Sequence, residues 1–217
     1  MIVRILYQDQ EMIICEKPVG ISSESPGLPE LVSAQIGQHV WPVHRLDKGT
    51  GGVFILALSQ QSCRSLQMLF QQSQICKEYY AVISGSPEER SGTWSDLLWH
   101  DRIKNKSFVV TRSRCGVKTA SCSWVLLETV KHEENQLSLV RVSLHTGRTH
   151  QIRVQFSFRG FPLVGDRKYG SHVHADTVSL WSSSISVPFP DREKSTVTVT
   201  SDPPPVFPWM LFSSVSL

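Results

Sequence analysis

Apolar and polar positions change their period several times along this chain. Ile2 to Leu6 and Met12 to Cys15 are short β-type runs separated by the polar turn Gln8-Asp9-Gln10-Glu11. Lys17-Pro18-Val19-Gly20 then turns the chain, because proline cannot extend a ladder and glycine accepts positive φ. Pro29 to Ile36 predicts a short helix with proline in its first turn. Val53 to Leu58 is continuously apolar and follows Gly51-Gly52, which predicts a strand buried on both faces. Ser59 then stands as an N-cap for a helix whose Cys63, Leu66, Leu69 and Phe70 repeat at helical spacing. Glu78 to Ser84 reads as a strand closed by Gly85, and further β-type runs fall at Phe108–Thr111, Ala120–Leu127, Leu137–Leu144, Val178–Val187 and Thr196–Thr200. Thr149 to Phe158 is helix-like, and the tail with Pro203-Pro204-Pro205 is expected to pack Phe207, Trp209 and Phe212 without regular structure. Many strands and few helices, not in strict alternation, predict an α+β fold with a mainly antiparallel mixed sheet and flanking helices and loops.

Composition narrows the class without naming it. At 217 residues with 40% hydrophobic and 19% charged residues, the expectation is a single domain over 1–217. No apolar run reaches the roughly 20 residues that span a bilayer. The first residues carry charge where a signal peptide would be apolar, so a cytoplasmic protein is expected. Cys15, Cys63, Cys76, Cys115 and Cys122 show no metal-ligand spacing and read as reduced, structural thiols.

Net charge is only +3, but its distribution is uneven. Between His100 and Lys118, Arg102, Lys104, Lys106, Arg112, Arg114 and Lys118 face the one acid Asp101. Between Arg141 and Gly170, six further cations face the one acid Asp166. The remainder is acidic, so two basic blocks point either to a polyanion-binding face or to two separate solvated surfaces.

Three segments carry candidate chemistry. Val43-His44-Arg45-Leu46-Asp47-Lys48-Gly49-Thr50-Gly51-Gly52 crowds His, Arg, Asp and Lys into a turn before the buried strand, a firm mount for an aimed carboxylate. Taken alone, the segment reads first as a polar loop capped by an Arg–Asp pair, and the order of a phosphate loop is missing. Leu144-His145-Thr146-Gly147-Arg148-Thr149-His150-Gln151-Ile152-Arg153 leads from a strand into a helix whose first turns carry Arg148, His150 and Arg153, suited to an anion. His145 with His150, and His172 with His174, lack a third ligand, so no metal site is expected. In Lys77-Glu78-Tyr79-Tyr80-Ala81 the two tyrosines face opposite sides of a strand.

In order and spacing these segments resemble the RluA-type pseudouridine synthases over essentially the whole chain. Leu6-Tyr7-Gln8-Asp9 through Lys17-Pro18-Val19-Gly20 looks like the opening motif, and His44-Arg45-Leu46-Asp47-x-x-Thr50 like the signature H-R-L-D-x-x-T. Lys77-x-Tyr79-x-Ala81 looks like the K-x-Y-x-A strand, and Thr146 to Val154 like T-G-R-[ST]-H-Q-[IL]-R-V, followed by Pro162-Leu163-Val164-Gly165-Asp166. Two positions depart: Gly51 where serine is usual, and Gln155 where histidine is frequent.

The resemblance implies the pseudouridine synthase fold as one catalytic domain without an appended S4-like RNA-binding domain. It implies an isomerase that needs no cofactor and converts uridine in structured tRNA or ribosomal RNA to pseudouridine. Its catalytic residues would be Asp47, Tyr79 and Arg153, with Arg153 holding the Asp47 charge, so that Arg153→Met abolishes turnover without unfolding the protein. The base must leave the stack. Tyr79 would receive it, and Arg45 would fill the gap. His44, Arg148, His150, Lys104, Lys106, Arg112 and Arg114 would contact RNA. Neither a membrane nor an obligate protein partner is implied, and a monomer is expected. The competing reading is a catalytically silent RNA-binding domain of the same fold; a Ser/His/Asp hydrolase lacks its G-x-S-x-G elbow.

Overall fold

The computed structural model describes residues 1–188 and 196–215. In chain order its strands and helices are β1 (Ile5–Gln8), β2 (Met12–Lys17), α1 (Leu28–Ile36), β3 (Trp41–Pro42), β4 (Gly51–Ala57), α2 (Gln60–Gln71) and β5 (Cys76–Ser84). There follow β6 (Ser91–Asp101), β7 (Lys106–Val110), β8 (Val117–His132), β9 (Asn135–Leu144), α3 (Gln151–Phe158), β10 (Leu180–Pro188) and β11 (Thr196–Thr200). They form two compact units, Met1–Lys77 with Trp181–Pro203, and Glu78–Leu180 with Pro204–Leu217.

In the first unit the strands run β1–β2–β4–β10, with β3 on β4 and β11 on β10. β2 and β4 are antiparallel from Met12↔Ala57 to Lys17↔Gly52, while β10 joins β4 in parallel. Every residue of β4 is buried, as its unbroken apolar run requires. Val53, Ile55 and Ala57 join Met12, Ile14, Ile185 and Val187 on one face, covered by Cys63 and Leu66 of α2. Ser59 caps α2 by accepting the Ser62 N–H. The start of β4 is paved with glycine because neighbours take the space of a side chain. A Cβ on Gly51 would collide with the Trp181 ring, and one on Gly52, at φ +105°, with the Ser182 carbonyl.

The second unit is an antiparallel series, β5–β9–β8–β6–β7. Tyr79 lies opposite Val142 and Tyr80 opposite Arg141. α3 packs Val154 with Leu98, Ala120 and Tyr169, and seats Phe156 against the Trp94 ring at 4.7 Å. The pattern along the chain did not reveal β6. Its inward positions include Asp96, a charge that breaks the apolar alternation and is satisfied internally. Arg159 binds Asp96 through both Nη atoms at 3.0 Å, and Gln155 Nε2 donates at 2.7 Å. Gln155 also lies 3.4 Å from the Cys122 thiol, so this departure from the motif is a buried tie between α3, β6 and β8. The tail is more regular than expected, with 3-10 turns at Trp209–Leu211 and Ser213–Val215.

All five cysteines are free, and burial pushes the Cys15 and Cys122 thiols up to about 12. Among the described residues no helix is long and apolar enough to cross a membrane.

Candidate active site

Asp47 stands in a turn that is tied down on three sides. The Thr50 N–H donates to the Asp47 carbonyl at 2.9 Å, and the Gly20 N–H to the Lys48 carbonyl at 2.8 Å. Ser23 Oγ accepts the Leu46 N–H at 3.1 Å and donates to the Leu46 carbonyl at 2.9 Å. Such a double clamp fixes the residue next to the carboxylate.

His44 fastens the same turn to the strand behind it. Its Nε2 accepts the Ile55 N–H at 3.0 Å, and its ring is stacked between Phe54 at 4.2 Å and Phe70 at 4.7 Å. An accepting Nε2 leaves the proton on Nδ1, so the imidazole is neutral. Burial pushes its pKa down to about 3, helped by the Lys77 charge. Expected to contact RNA, His44 thus has both ring faces and one nitrogen engaged within the protein. Arg45 beside it is exposed, and its 3.7 Å pair with Glu24 is an exposed contact of little strength.

The residue that motif reasoning did not single out is Lys17. It ends β2 fully buried, and its ammonium donates to the carbonyls of Ile21 at 2.7 Å, Pro18 at 3.0 Å and Lys48 at 3.5 Å. Burial lowers its pKa to about 8, against the upward pull of the Asp47 carboxylate. A buried ammonium needs partners, and these three carbonyls supply them.

In the second unit Tyr79 is buried in β5. Arg153, on the first turn of α3, gives Nε to Asp166 Oδ2 at 2.7 Å and Nη2 to Asp166 Oδ1 at 2.9 Å. The pair is almost dry, with side chains 9% and 1% exposed. The Arg153 guanidinium and the Lys106 ammonium both lie over the Tyr169 ring, at 5.2 and 5.1 Å. Tyr169 Oη accepts the Ser107 N–H at 2.7 Å and lies 3.0 Å from His150 Nδ1. His150 precedes α3 in the left-handed region at φ +55° and offers no side-chain cap to the helix, while the neighbouring Gln151 side chain ties down the turn before it. Gln151 Oε1 accepts the Arg148 N–H at 3.0 Å and the Thr146 hydroxyl at 2.7 Å. Arg148 and His150 therefore lie before the helix instead of in its first turns, and Arg148 Nε donates to the Thr119 carbonyl at 2.9 Å. Lys104 and Arg112 are exposed, and Arg114 lies 4.7 Å over the Trp99 ring. Among the described residues no cluster of His, Cys, Asp and Glu is arranged to hold a metal ion.

The clamped turn of Asp47 and the buried Arg153–Asp166 pair each lie in a segment that carries an expected motif. Residues 11–158 match the family model described as RNA pseudouridylate synthase. The chain belongs to that family, and its α+β fold and motif resemblance are borne out. An RNA pseudouridine synthase of Zymomonas mobilis is 32% identical over 94% of this chain and 95% of its own length. Another, of Aquifex aeolicus, is 34% identical over 82% of this chain, which spans 60% of that protein. The tRNA pseudouridine synthase C of Haemophilus ducreyi is 33% identical over 76% of this chain and 73% of its own. The structure named human RNA pseudouridylate synthase domain containing 1 superposes with a TM-score of 0.80 at 23% identity, covering 94% of this chain and 84% of that one.

Proposed function

We propose that the protein isomerises uridine to pseudouridine in structured RNA in the cytoplasm, with Asp47 as the catalytic carboxylate and Arg153 and Tyr79 as its partners in turnover. The observation that carries this reading is the mounting of Asp47 on a turn clamped by Ser23 on one side and, through the Lys48 carbonyl, by the caged ammonium of Lys17 on the other. In the reaction the N1–C1′ bond breaks, the uracil turns, and a C5–C1′ bond forms. The proton leaving C5 goes to solvent and N1 gains one, so the step is redox-neutral and consumes no cofactor.

Asp166 fixes the Arg153 guanidinium through Nε and Nη2 and so sets the direction of its remaining edge. A fixed guanidinium stabilises developing negative charge without reorganising. Tyr79 offers a ring to the extruded uracil, and base–aromatic stacking contributes on the order of 1–3 kcal/mol. Arg45 is loosely held and long enough to enter the vacated stack. Lys104, Lys106, Arg112, Arg114, Arg148 and His150 supply the electrostatic grip on phosphates or the RNA surface. The naming of one relative for tRNA makes tRNA the first substrate to test. The test is tritium release from C5-labelled uridine in tRNA and ribosomal RNA transcripts, with wild type active and Asp47→Ala at background. Activity retained by Asp47→Ala overturns the mechanism; a wild type silent on every RNA points to a binding-only domain.

A further inference from the structure

The hairpin joining β6 to β7 ends in a turn of an unusual kind. Its residues are Arg102, Ile103, Lys104 and Asn105, and Ile103 is 98% exposed. Tight turns favour residues that are polar or tolerate positive φ, and Asn105 at φ +44° meets that need. Ile103 does not, and it gains nothing from the fold around it.

The turn is nevertheless firmly built. Asp101 Oδ1 accepts the N–H groups of Ile103 at 2.9 Å and Lys104 at 3.0 Å. Lys168 Nζ donates to the Asn105 carbonyl at 2.9 Å, and the ladder beneath runs from Asp101↔Lys106 to Leu97↔Val110. The base of the hairpin is bonded into the network that holds Arg153. Ser107 Oγ donates to the Thr149 carbonyl at 2.6 Å, the Ser107 N–H donates to Tyr169 Oη at 2.7 Å, and Arg153 lies over that same Tyr169 ring. The tip is therefore registered to Arg153 within one unit. Arg102, Lys104 and Lys168 surround it with exposed positive charge, and the Asp101 carboxylate is already engaged by the turn.

We propose that this tip is a wedge: Ile103 enters the base stack of a double-helical stem of the substrate RNA, while Arg102 and Lys104 hold the phosphates on either side. Charge decides the occupant. A short aliphatic side chain on a rigid tip between cations fits a stack of apolar faces bordered by phosphate, and apolar residues inserted between base steps are a known way of unstacking them. The inference rests on RNA being the substrate and adds which part of the protein opens it.

The test compares wild type, Ile103→Ala and Ile103→Met on a tRNA stem-loop transcript, with 2-aminopurine placed in turn along the stem. Wild type and Ile103→Met should raise the fluorescence at one step of the stem. Ile103→Ala should not, and its affinity should fall about ten-fold with an unchanged salt slope. All three should melt alike, because the side chain touches little of the protein. Equal affinity and equal fluorescence for Ile103→Ala and wild type overturn the wedge, as does an Ile103 effect seen only in self-association. Ile103-dependent unstacking by a wild type that releases no tritium from any RNA upholds the wedge and sinks the isomerase reading instead.

Discussion

The buried Arg153–Asp166 pair turns a test of catalysis into a test of stability as well. Arg153→Met keeps much of the aliphatic stem but removes every N–H donor, leaving the Asp166 carboxylate, 1% exposed, without its two guanidinium bonds. Removing one member of such a pair costs about 3–5 kcal/mol. Whole domains are stable by only about 5–15 kcal/mol. At roughly 2–4 °C per kcal/mol for a chain of this size, the melting temperature should drop on the order of 6–20 °C. The expectation from the motif alone, lost turnover with unaltered folding, is thereby revised. Turnover should vanish, and much of the fold's margin with it. The control is Arg153→Met with Asp166→Asn, which no longer strands a charge. It should recover most of the stability and none of the activity. Urea unfolding followed by tryptophan fluorescence is well placed to report this, since Trp94 lies 4.7 Å from Phe156 on α3. An unchanged midpoint for Arg153→Met, or a double variant no more stable than the single one, would refute the reasoning.

Two further outcomes follow from the first unit. His44 is neutral in the folded protein down to about pH 3 but takes a proton near 6.5 once unfolded. Below 6.5 the unfolded state therefore binds more protons, and stability should fall with pH by up to about 1.4 kcal/mol per unit until about pH 3. His44→Gln, whose Oε1 can still accept the Ile55 N–H, should lose that component of the acid slope in urea titrations; an unaltered slope would show that the ring does not titrate as argued. Gly51→Ser, the residue usual in the family, should destabilise by about 1–3 kcal/mol because Trp181 occupies the space. Combined with Trp181→Leu it should cost less than the two single changes together, and strict additivity in calorimetry would contradict the clash.

Much of this was legible in the chain because the signals were local. Val53 to Leu58 required a doubly buried strand, Ser59 a cap, and the motif order a family. What escaped depended on partners distant in sequence. The inward Asp96 of β6 is ordinary only once Arg159 and Gln155 are beside it. The bidentate hold of Asp166 on Arg153 joins residues 13 apart, and no local pattern marks it. Gly51 looked like a loop residue near the site, whereas Trp181 makes it a packing requirement. Lys17 was visible as part of a motif but not as a charge, since nothing in Lys-Pro-Val-Gly shows that the ammonium folds inward.

That lysine has a consequence for how the loop is kept in order. Oxygen atoms from Pro18, Ile21 and Lys48 converge on its ammonium much as carbonyls converge on a bound hard cation. Here the cation is tethered to the backbone. The oxygen cage is filled as soon as the chain folds, at whatever divalent ion level the surroundings offer, and a chelator cannot empty it.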